Sequence, residues 1–251
     1  MLAAHRQAAS ALRLEWGPTG AAAIGPGCAA AVVVDVLSFT TTVTVAADRG
    51  IAVLPHRWAN DAAARVAAAA NDAVLAVGRS RARPGQVSLS PGTVRRAQDL
   101  RRLVLPSPNG SAISAGLARE APVVVAVSLR NRHAVGAWLL DRYTAGDAHV
   151  AVICSGERWP DGTLRPAVED LWGAGALVDV LLAGGWRDVA PEAVAAAAAF
   201  RAVQGDVGAA LRACASGREL IDADYPDDVE IAAELDRSAS VPVLRDGAFR
   251  V

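Results

Sequence analysis

Short apolar runs alternate with longer amphipathic stretches along most of the chain. The runs are rich in valine and other apolar residues and lack the polar alternation of half-exposed strands, which is typical of strands buried on both faces of a sheet. They occupy residues 30–36, 51–55, 73–78, 103–106, 123–128 and 150–154, with a terminal strand or hairpin at 241–251.

The stretches between these runs have the apolar spacing of helices. Glycines are placed to end two of them, and Asn60 or Asp61 is placed to begin a third. The predicted helices occupy residues 43–49, 59–70, 92–102, 111–119, 131–143, 166–182, 191–214 and 226–235. The helix at 191–214 is either continuous or broken near Gly205.

Strands that alternate with helices predict βαβ units. We therefore expect an α/β fold, a layered α/β/α arrangement with a mixed, largely parallel sheet. At 251 residues the chain is long enough for one large core. We expect a single catalytic unit over residues 1–251, and two α/β halves at about 1–105 and 106–251 are the alternative.

Composition excludes several classes of function. The chain contains no lysine, so it has neither the lysine of a Walker phosphate loop nor the amine for Schiff-base or pyridoxal-phosphate chemistry. The net charge of −1 and the lack of a basic run predict no nucleic-acid or membrane partner. Scattered cysteines, no apolar leader and no stretch of transmembrane length predict a cytoplasmic protein.

Ligands of parallel sheets bind beyond the carboxyl ends of the strands, so the residues that follow each predicted strand are the candidates for chemistry. Asp35 ends the first of these strands. A hydroxyl cluster opens the next helix, where free N–H groups suit a phosphate. This cluster is Thr40, Thr41 and Thr42. Helix capping and a turn are the alternative interpretation of the same residues.

A turn sequence follows the strand at 103–106. Asn109 and Gly110 form an ordinary turn signal, and Ser111 opens the next predicted helix. Their position at a strand end makes all three candidate ligand contacts. A purely structural turn is the alternative interpretation.

Cys154 and Glu157 follow the strand at 150–154, with Ser155 and Gly156 between them as further candidate ligand contacts. Position 160 is proline, whereas a cysteine-dependent phosphatase loop needs arginine there, so we interpret Cys154 as packing and Glu157 as the candidate for chemistry. The sequence at 161–163 is similar to an aspartate phosphatase motif, but that motif follows an apolar strand and this one does not. We therefore predict a surface turn there.

Glu169 and Asp170 lie in the first turn of the helix predicted at 166–182. Acids at this place commonly complement the helix dipole. Carboxylate oxygens are also the ligands that Mg²⁺ prefers. Together with Asp35 and Glu157 they predict a magnesium-dependent acidic site.

Taken in order, several segments resemble the 2-phosphosulfolactate phosphatase family. They are VVVDVLSFTTTVTVAADRG at 32–50, LSP at 89–91, NGS at 109–111, VICSGE and VEDLWGAGAL within 152–177, and SGRELIDADYPDDVEIAAELD at 216–236. No single segment is highly specific, but their order and spacing are. Together they span most of the chain.

The resemblance implies a Mg²⁺-dependent phosphatase that acts on a small phosphorylated hydroxy acid, 2-phosphosulfolactate or a related compound, as in coenzyme M biosynthesis. It implies that Asp35, Glu169 and Asp170 hold the metal, with water or Asp35 as the nucleophile. It also implies that Asn109 and Gly110 contact the substrate and that Arg218 binds its anionic groups. Independently of the resemblance, a homodimer is the assembly to expect, because it is the commonest one among soluble oligomers.

The chain departs from the family pattern at two strand ends. Ser38 stands where the family has arginine, and Arg79 stands where it has glutamate. The lost arginine predicts an altered phosphate or sulfonate contact, and the lost glutamate predicts altered metal binding. These changes leave two other hypotheses open: an enzyme of the same fold that acts on a different phosphorylated hydroxy acid, and a non-catalytic small-anion-binding homologue. Convergence of Asp35 with Glu169 or Asp170 within metal-ligand distance favours an enzyme, and acids that point away from one another favour the binding homologue.

Overall fold

The computed structural model describes residues 2–57, 61–143 and 148–251, without the side chain of Asp61. The strands are β1 Leu12–Trp16, β2 Ala30–Val34, β3 Ala52–Arg57, β4 Val74–Leu75, β5 Arg102–Ser107, β6 Val124–Val127, β7 Val150–Cys154, β8 Glu157–Arg158, β9 Leu164–Arg165, β10 Val243–Arg245 and β11 Ala248–Arg250. The helices are α1 Gly17–Ile24, α2 Phe39–Ala47, α3 Asp61–Ala70, α4 Pro91–Arg96, α5 Gly110–Leu117, α6 Arg132–Arg142, α7 Val168–Ala183, α8 Pro191–Val203, α9 Val207–Ala213, α10 Ala215–Asp222 and α11 Pro226–Ala232.

Nine of these strands form one sheet in the order β1-β7-β2-β6-β10-β11-β3-β5-β4. The group β1, β7, β2 and β6 is parallel, and so is the group β3, β5 and β4. The antiparallel β10–β11 hairpin joins the two groups by pairing with β6 and β3. The predicted α/β class with a mixed, largely parallel sheet is confirmed. The prediction of a single catalytic unit stays a prediction.

Helices cover both faces of the sheet because alternate residues of the central strands point to opposite sides. Val32 and Val34 of β2 belong to one core, packed by α6, α7 and α8. Ala31 and Val33 belong to the other, packed by α1, α2 and α5. Every residue of β2, β6 and β7 is buried, which explains their unbroken apolar sequences.

Several predicted boundaries are wrong by a few residues. β2 ends at Val34 rather than 36, and α2 begins at Phe39 rather than 43. The threonines join the helix, and most of their hydroxyls donate to carbonyl oxygens four or five residues earlier; Thr44 Oγ1 donates to Thr40 O at 2.7 Å. The helix predicted at 92–102 ends at Arg96. The break predicted near Gly205 is confirmed as a 3₁₀ turn over Gln204–Asp206 between α8 and α9.

β1, α1, α10 and the short strands β8 and β9 were not predicted from the sequence. β1 lies at the edge of the sheet, in parallel register with β7 from Leu12–Val150 to Trp16–Cys154. The start predicted for the helix at 59–70 lies outside the described residues. None of the described helices combines the length and apolar character needed to cross a membrane.

Candidate active site

Asp35 directly follows β2 and is only 7% exposed. Its Oδ1 accepts a hydrogen bond from the N–H of Phe39, and its Oδ2 accepts one from the N–H of Gly110, each at 3.1 Å. Phe39 begins α2 and Gly110 begins α5. One carboxylate therefore holds the first turns of two helices, and its position is fixed by backbone on both sides.

Gly110 can approach this carboxylate only because it lacks a side chain. A Cβ atom there would lie 2.7 Å from Asp35 Oδ2 and 2.4 Å from a ring carbon of Phe39. The preceding residue, Asn109, is buried, and its Nδ2 donates to Glu157 Oε2 at 3.1 Å. The Asn-Gly pair thus connects Asp35 with Glu157, so this turn has a specific place in the site.

A cavity of about 370 Å³ opens beside Asp35, and we call it the carboxylate cavity. Its wall combines one positive and two acidic side chains with hydroxyl, amide and apolar groups. The lining residues are Asp35, Leu37, Ser38, Phe39, Arg79, Leu89, Leu105, Pro106, Ser107, Pro108, Asn109 and Glu157. Such a mixed wall suits a small polar ligand with negative charge.

The two acids of the carboxylate cavity have raised pKa values. Burial raises the pKa of Asp35 to about 6; the N–H groups of Phe39 and Gly110 oppose this shift, and the charge of Glu169 adds to it. Burial, with the charges of Asp35 and Glu169, raises the pKa of Glu157 to about 7. Both carboxyls therefore titrate near neutral pH, which is the range that proton transfer in catalysis requires.

Arg79 brings the positive charge to the carboxylate cavity. Its Nε donates to Asp228 Oδ2 at 2.7 Å, and its Nη2 donates to the hydroxyl of Ser38. Asp228 is 1% exposed and also accepts a hydrogen bond from Ser90. The guanidinium is thereby fixed at the wall of the cavity. In the sequence Arg79 stood out only as a departure from the family pattern, although a position soon after β4 also indicates a candidate site residue.

Asp170 is buried at the start of α7 but does not line the carboxylate cavity. Its Oδ1 accepts from the N–H of Val36 at 2.7 Å, and its Oδ2 accepts from the N–H of Gly156 at 2.8 Å. Burial, with the charges of Asp35 and Glu169, raises the pKa of Asp170 well above its usual value. This carboxyl joins the segments that follow β2 and β7.

Glu169 is 2% exposed and lies beside the thiol of Cys214. Burial and the Glu169 charge raise the pKa of Cys214 to about 11. The charge of Glu169 also acts on Asp35, Glu157 and Asp170. The four acids that the strand ends predicted are therefore brought together, although they come from three separate segments.

The hydroxyls of the three threonines predicted to contact substrate already form hydrogen bonds within the protein. The hydroxyl of Thr40 donates to Asp35 O, that of Thr41 to Val36 O and that of Thr42 to Leu89 O. All three residues are fully buried, and none lines the carboxylate cavity. In the structure they support the segment after β2; their predicted contact with substrate stays a prediction.

The remaining predicted substrate contacts do not line the carboxylate cavity. Ser111 Oγ donates to Leu105 O at 3.0 Å. Ser155 Oγ is buried and has no hydrogen-bond partner among the described residues. Gly156 has φ +65°, which favours glycine, and donates to Asp170. Arg218 is exposed on α10 and does not line the cavity.

Two negative predictions of the sequence agree with the structure. Cys154 is fully buried, and burial with the charges of Asp170 and Glu15 raises the pKa of its thiol well above the usual value. An inert thiol fits these conditions. The aspartate-phosphatase imitation at 161–163 is an exposed turn between β8 and β9, in which Asp161 accepts hydrogen bonds from Thr163.

The described residues contain no group of three or more Asp, Glu, His or Cys side chains placed to hold a metal ion. Both oxygens of Asp170 already accept backbone N–H groups. A magnesium ion, however, is commonly held by one or two carboxylates together with water and substrate phosphate. Both oxygens of Asp35 likewise accept backbone N–H groups, but Asp35 and Glu157 line the carboxylate cavity and Asp170 does not. Because a carboxylate oxygen can accept more than one contact, Asp35 and Glu157 fit that smaller donor set.

Comparison with known proteins gives one consistent result. A family model described as 2-phosphosulpholactate phosphatase matches residues 23–247. A probable 2-phosphosulfolactate phosphatase of Deinococcus radiodurans is 32% identical over 224 residues, 86% of this chain and 88% of the relative. Proteins of the same description from Thermus thermophilus and a Synechococcus species are 33% and 34% identical, over 87% and 91% of their own lengths.

Proposed function

Because the chain belongs to the 2-phosphosulfolactate phosphatase family, we propose that it hydrolyses a small phosphorylated hydroxy acid in the carboxylate cavity. The family is one of phosphoric monoester hydrolases. 2-Phosphosulfolactate is the proposed substrate, since three relatives carry that activity in their descriptions. A related hydroxy acid is the alternative, because Ser38 and Arg79 change the anion contacts that the family pattern implies.

One observation carries this proposal: Asp35, Glu157 and Arg79 lie on the wall of one small cavity. A phosphate monoester needs a positive group for its phosphoryl oxygens and a proton donor for its leaving oxygen. The cavity offers a guanidinium and two carboxyls whose pKa values are near neutrality. A site for an uncharged ligand does not need a guanidinium together with two such carboxyls.

We assign substrate binding to Arg79 and Ser38. The guanidinium presents paired N–H donors that match phosphate, sulfonate or carboxylate oxygens. Asp228 and Ser38 hold it in place before substrate arrives, so little of its conformational freedom is lost on binding. Asn109 adds an amide beside Glu157 and orients that carboxyl.

We assign proton transfer to the two carboxyls. With a pKa of about 6, Asp35 is mostly ionised at pH 7 and accepts a proton from the attacking water. With a pKa of about 7, Glu157 is about half protonated there and donates a proton to the hydroxy-acid oxygen as the P–O bond breaks. Two carboxyls with different pKa values can thus divide the roles of base and acid.

We also propose that turnover depends on Mg²⁺, held by Asp35 together with the substrate phosphate, so that Glu157 keeps the raised pKa that its role as acid requires. When bound, the ion supplies neutralisation of phosphoryl charge. This role agrees with the acidic wall of the cavity, where substrate and carboxylates would otherwise repel each other.

The test is phosphate release from a panel of phosphorylated hydroxy acids, 2-phosphosulfolactate among them, with added Mg²⁺ and with EDTA. We expect release from at least one member, reduced by EDTA and restored by excess Mg²⁺. Asp35→Asn, purified in the same way, measures any contaminating phosphatase.

Release by wild type alone supports the proposal, and the preferred member identifies the substrate. Folded wild type that releases phosphate from no member contradicts it and favours a non-catalytic anion-binding homologue. Release that EDTA leaves unchanged contradicts the metal dependence alone.

A further inference from the structure

A second cavity, of about 440 Å³, lies next to the carboxylate cavity, and the two share Pro106. It opens at the carboxyl ends of three parallel strands: Arg57 ends β3, Pro106 is near the end of β5, and Leu75 ends β4. Strand ends of this kind are where α/β sheets bind ligands. We call it the arginine cavity.

Its charge distinguishes it from the carboxylate cavity. Four arginines line it, and none of its described lining residues is acidic. Arg57 and Arg65 come from β3 and α3, whereas Arg81 and Arg83 come from the segment after β4. Within the described part of the chain, Arg57, Arg65 and Arg83 form no ion pair with a carboxylate.

Arg57, Arg65 and Arg83 place like charges around one cavity. These charges repel each other, and a bound anion removes that repulsion. Guanidinium groups bind phosphate oxygens in pairs and are less strongly hydrated than ammonium groups. The three positive charges of these arginines exceed the charge of roughly −2 that one phosphate group carries. A ligand with two or more anionic groups can neutralise all three.

We propose that the arginine cavity binds a small polyanion, a molecule with at least two phosphate or similarly charged groups, while the carboxylate cavity holds its own ligand. The carboxylate cavity is large enough for a small hydroxy-acid phosphate, so that substrate does not need the arginine cavity. The polyanion is a separate ligand, bound beside the site of hydrolysis and not consumed there.

Inorganic pyrophosphate is the probe, titrated calorimetrically into the full chain in EDTA. We expect measurable binding that weakens as salt is raised. The double variant Arg65→Ala/Arg83→Ala should bind at least about tenfold more weakly, because it loses two charge-assisted contacts. Both residues are exposed, so their removal should not impair folding.

Arg119→Ala is the matched control, since Arg119 is an exposed arginine just after the C-terminal end of α5 and does not line the arginine cavity. It should bind pyrophosphate as wild type does. Asp35→Asn, which is inactive under the proposed function, should also bind it normally, so failure of hydrolysis and failure of this inference are separate results. The inference is overturned by absence of binding to wild type, by equal affinity in the double variant, or by an equal loss in Arg119→Ala.

Discussion

Asp35 and Asp170 are two buried carboxyls connected through one segment, because Asp170 accepts the N–H of Val36, the residue after Asp35. We propose a chemical role for Asp35 and a structural role for Asp170. Each is buried, and each accepts two backbone N–H groups. Only Asp35 lines the carboxylate cavity. The comparison teaches that burial and a raised pKa mark both groups alike, and that access to a cavity separates them.

The largest expected effect that separates the two is on catalysis. Asp35→Asn should lower kcat by about 10²–10⁴-fold, because the amide cannot accept a proton from water. Its stability should change by less than about 1 kcal/mol, since removing a buried charge offsets one lost amide contact. Steady-state kinetics and urea unfolding measure the two quantities. Near-normal turnover in folded Asp35→Asn would remove Asp35 from the proposed mechanism.

Asp170→Ala should show the opposite balance. Loss of the carboxyl leaves the N–H groups of Val36 and Gly156 without their acceptor in a buried place, so the free energy of unfolding should fall by about 2–4 kcal/mol. Urea unfolding measures it, with Asp179→Ala as the control, because Asp179 is a half-buried acid on the same helix that forms an ion pair with Arg201. An unchanged unfolding free energy would mean that Asp170 does not stabilise the contact between the segments that follow β2 and β7.

The pattern of apolar runs was sufficient for the sheet but not for its edge. β2, β6 and β7 are buried throughout, and their unbroken apolar sequences indicate this directly. β1 alternates apolar Leu12, Leu14 and Trp16 with Arg13 and Glu15, a period of two that was a readable strand signal. It was missed because its charged residues served only to exclude a signal peptide and were not considered as the polar positions of a strand.

The site was only partly predictable because it depends on contacts between distant segments. The strand-end rule located Asp35, Asn109 and Glu157, each of which follows a strand or begins the next element. The contact between Arg79 and Asp228 spans 149 positions, and nothing in the local sequence indicates it. The sequence also could not show that buried backbone N–H groups would occupy both oxygens of Asp170.

A smaller effect tests how tightly Asp35 is held by α5. Gly110→Ala should lower the unfolding free energy by about 1–3 kcal/mol, because the new Cβ overlaps Phe39 and Asp35. Gly116→Ala in the same helix is the matched control, since a Cβ there meets nothing within 4 Å, and alanine should stabilise the helix by about 0.5–1 kcal/mol. Equal effects of the two variants would contradict the close contact.

A pH dependence of stability, of roughly 2 kcal/mol between pH 5 and pH 7, arises on the cavity side of the comparison. The folded pKa of Glu157 is raised to about 7 from an ordinary 4.5, so the folded state binds more protons than the unfolded state between those pH values. Stability from this group is therefore present below about pH 4.5 and is lost as pH rises towards 7, by at most about 1.4 kcal/mol per pH unit. Glu157→Gln cannot ionise, so its stability relative to wild type should increase from pH 5 to pH 7. Urea unfolding in EDTA at both pH values measures the difference, and a constant difference would show that Glu157 has an ordinary pKa and cannot serve as the acid near neutral pH.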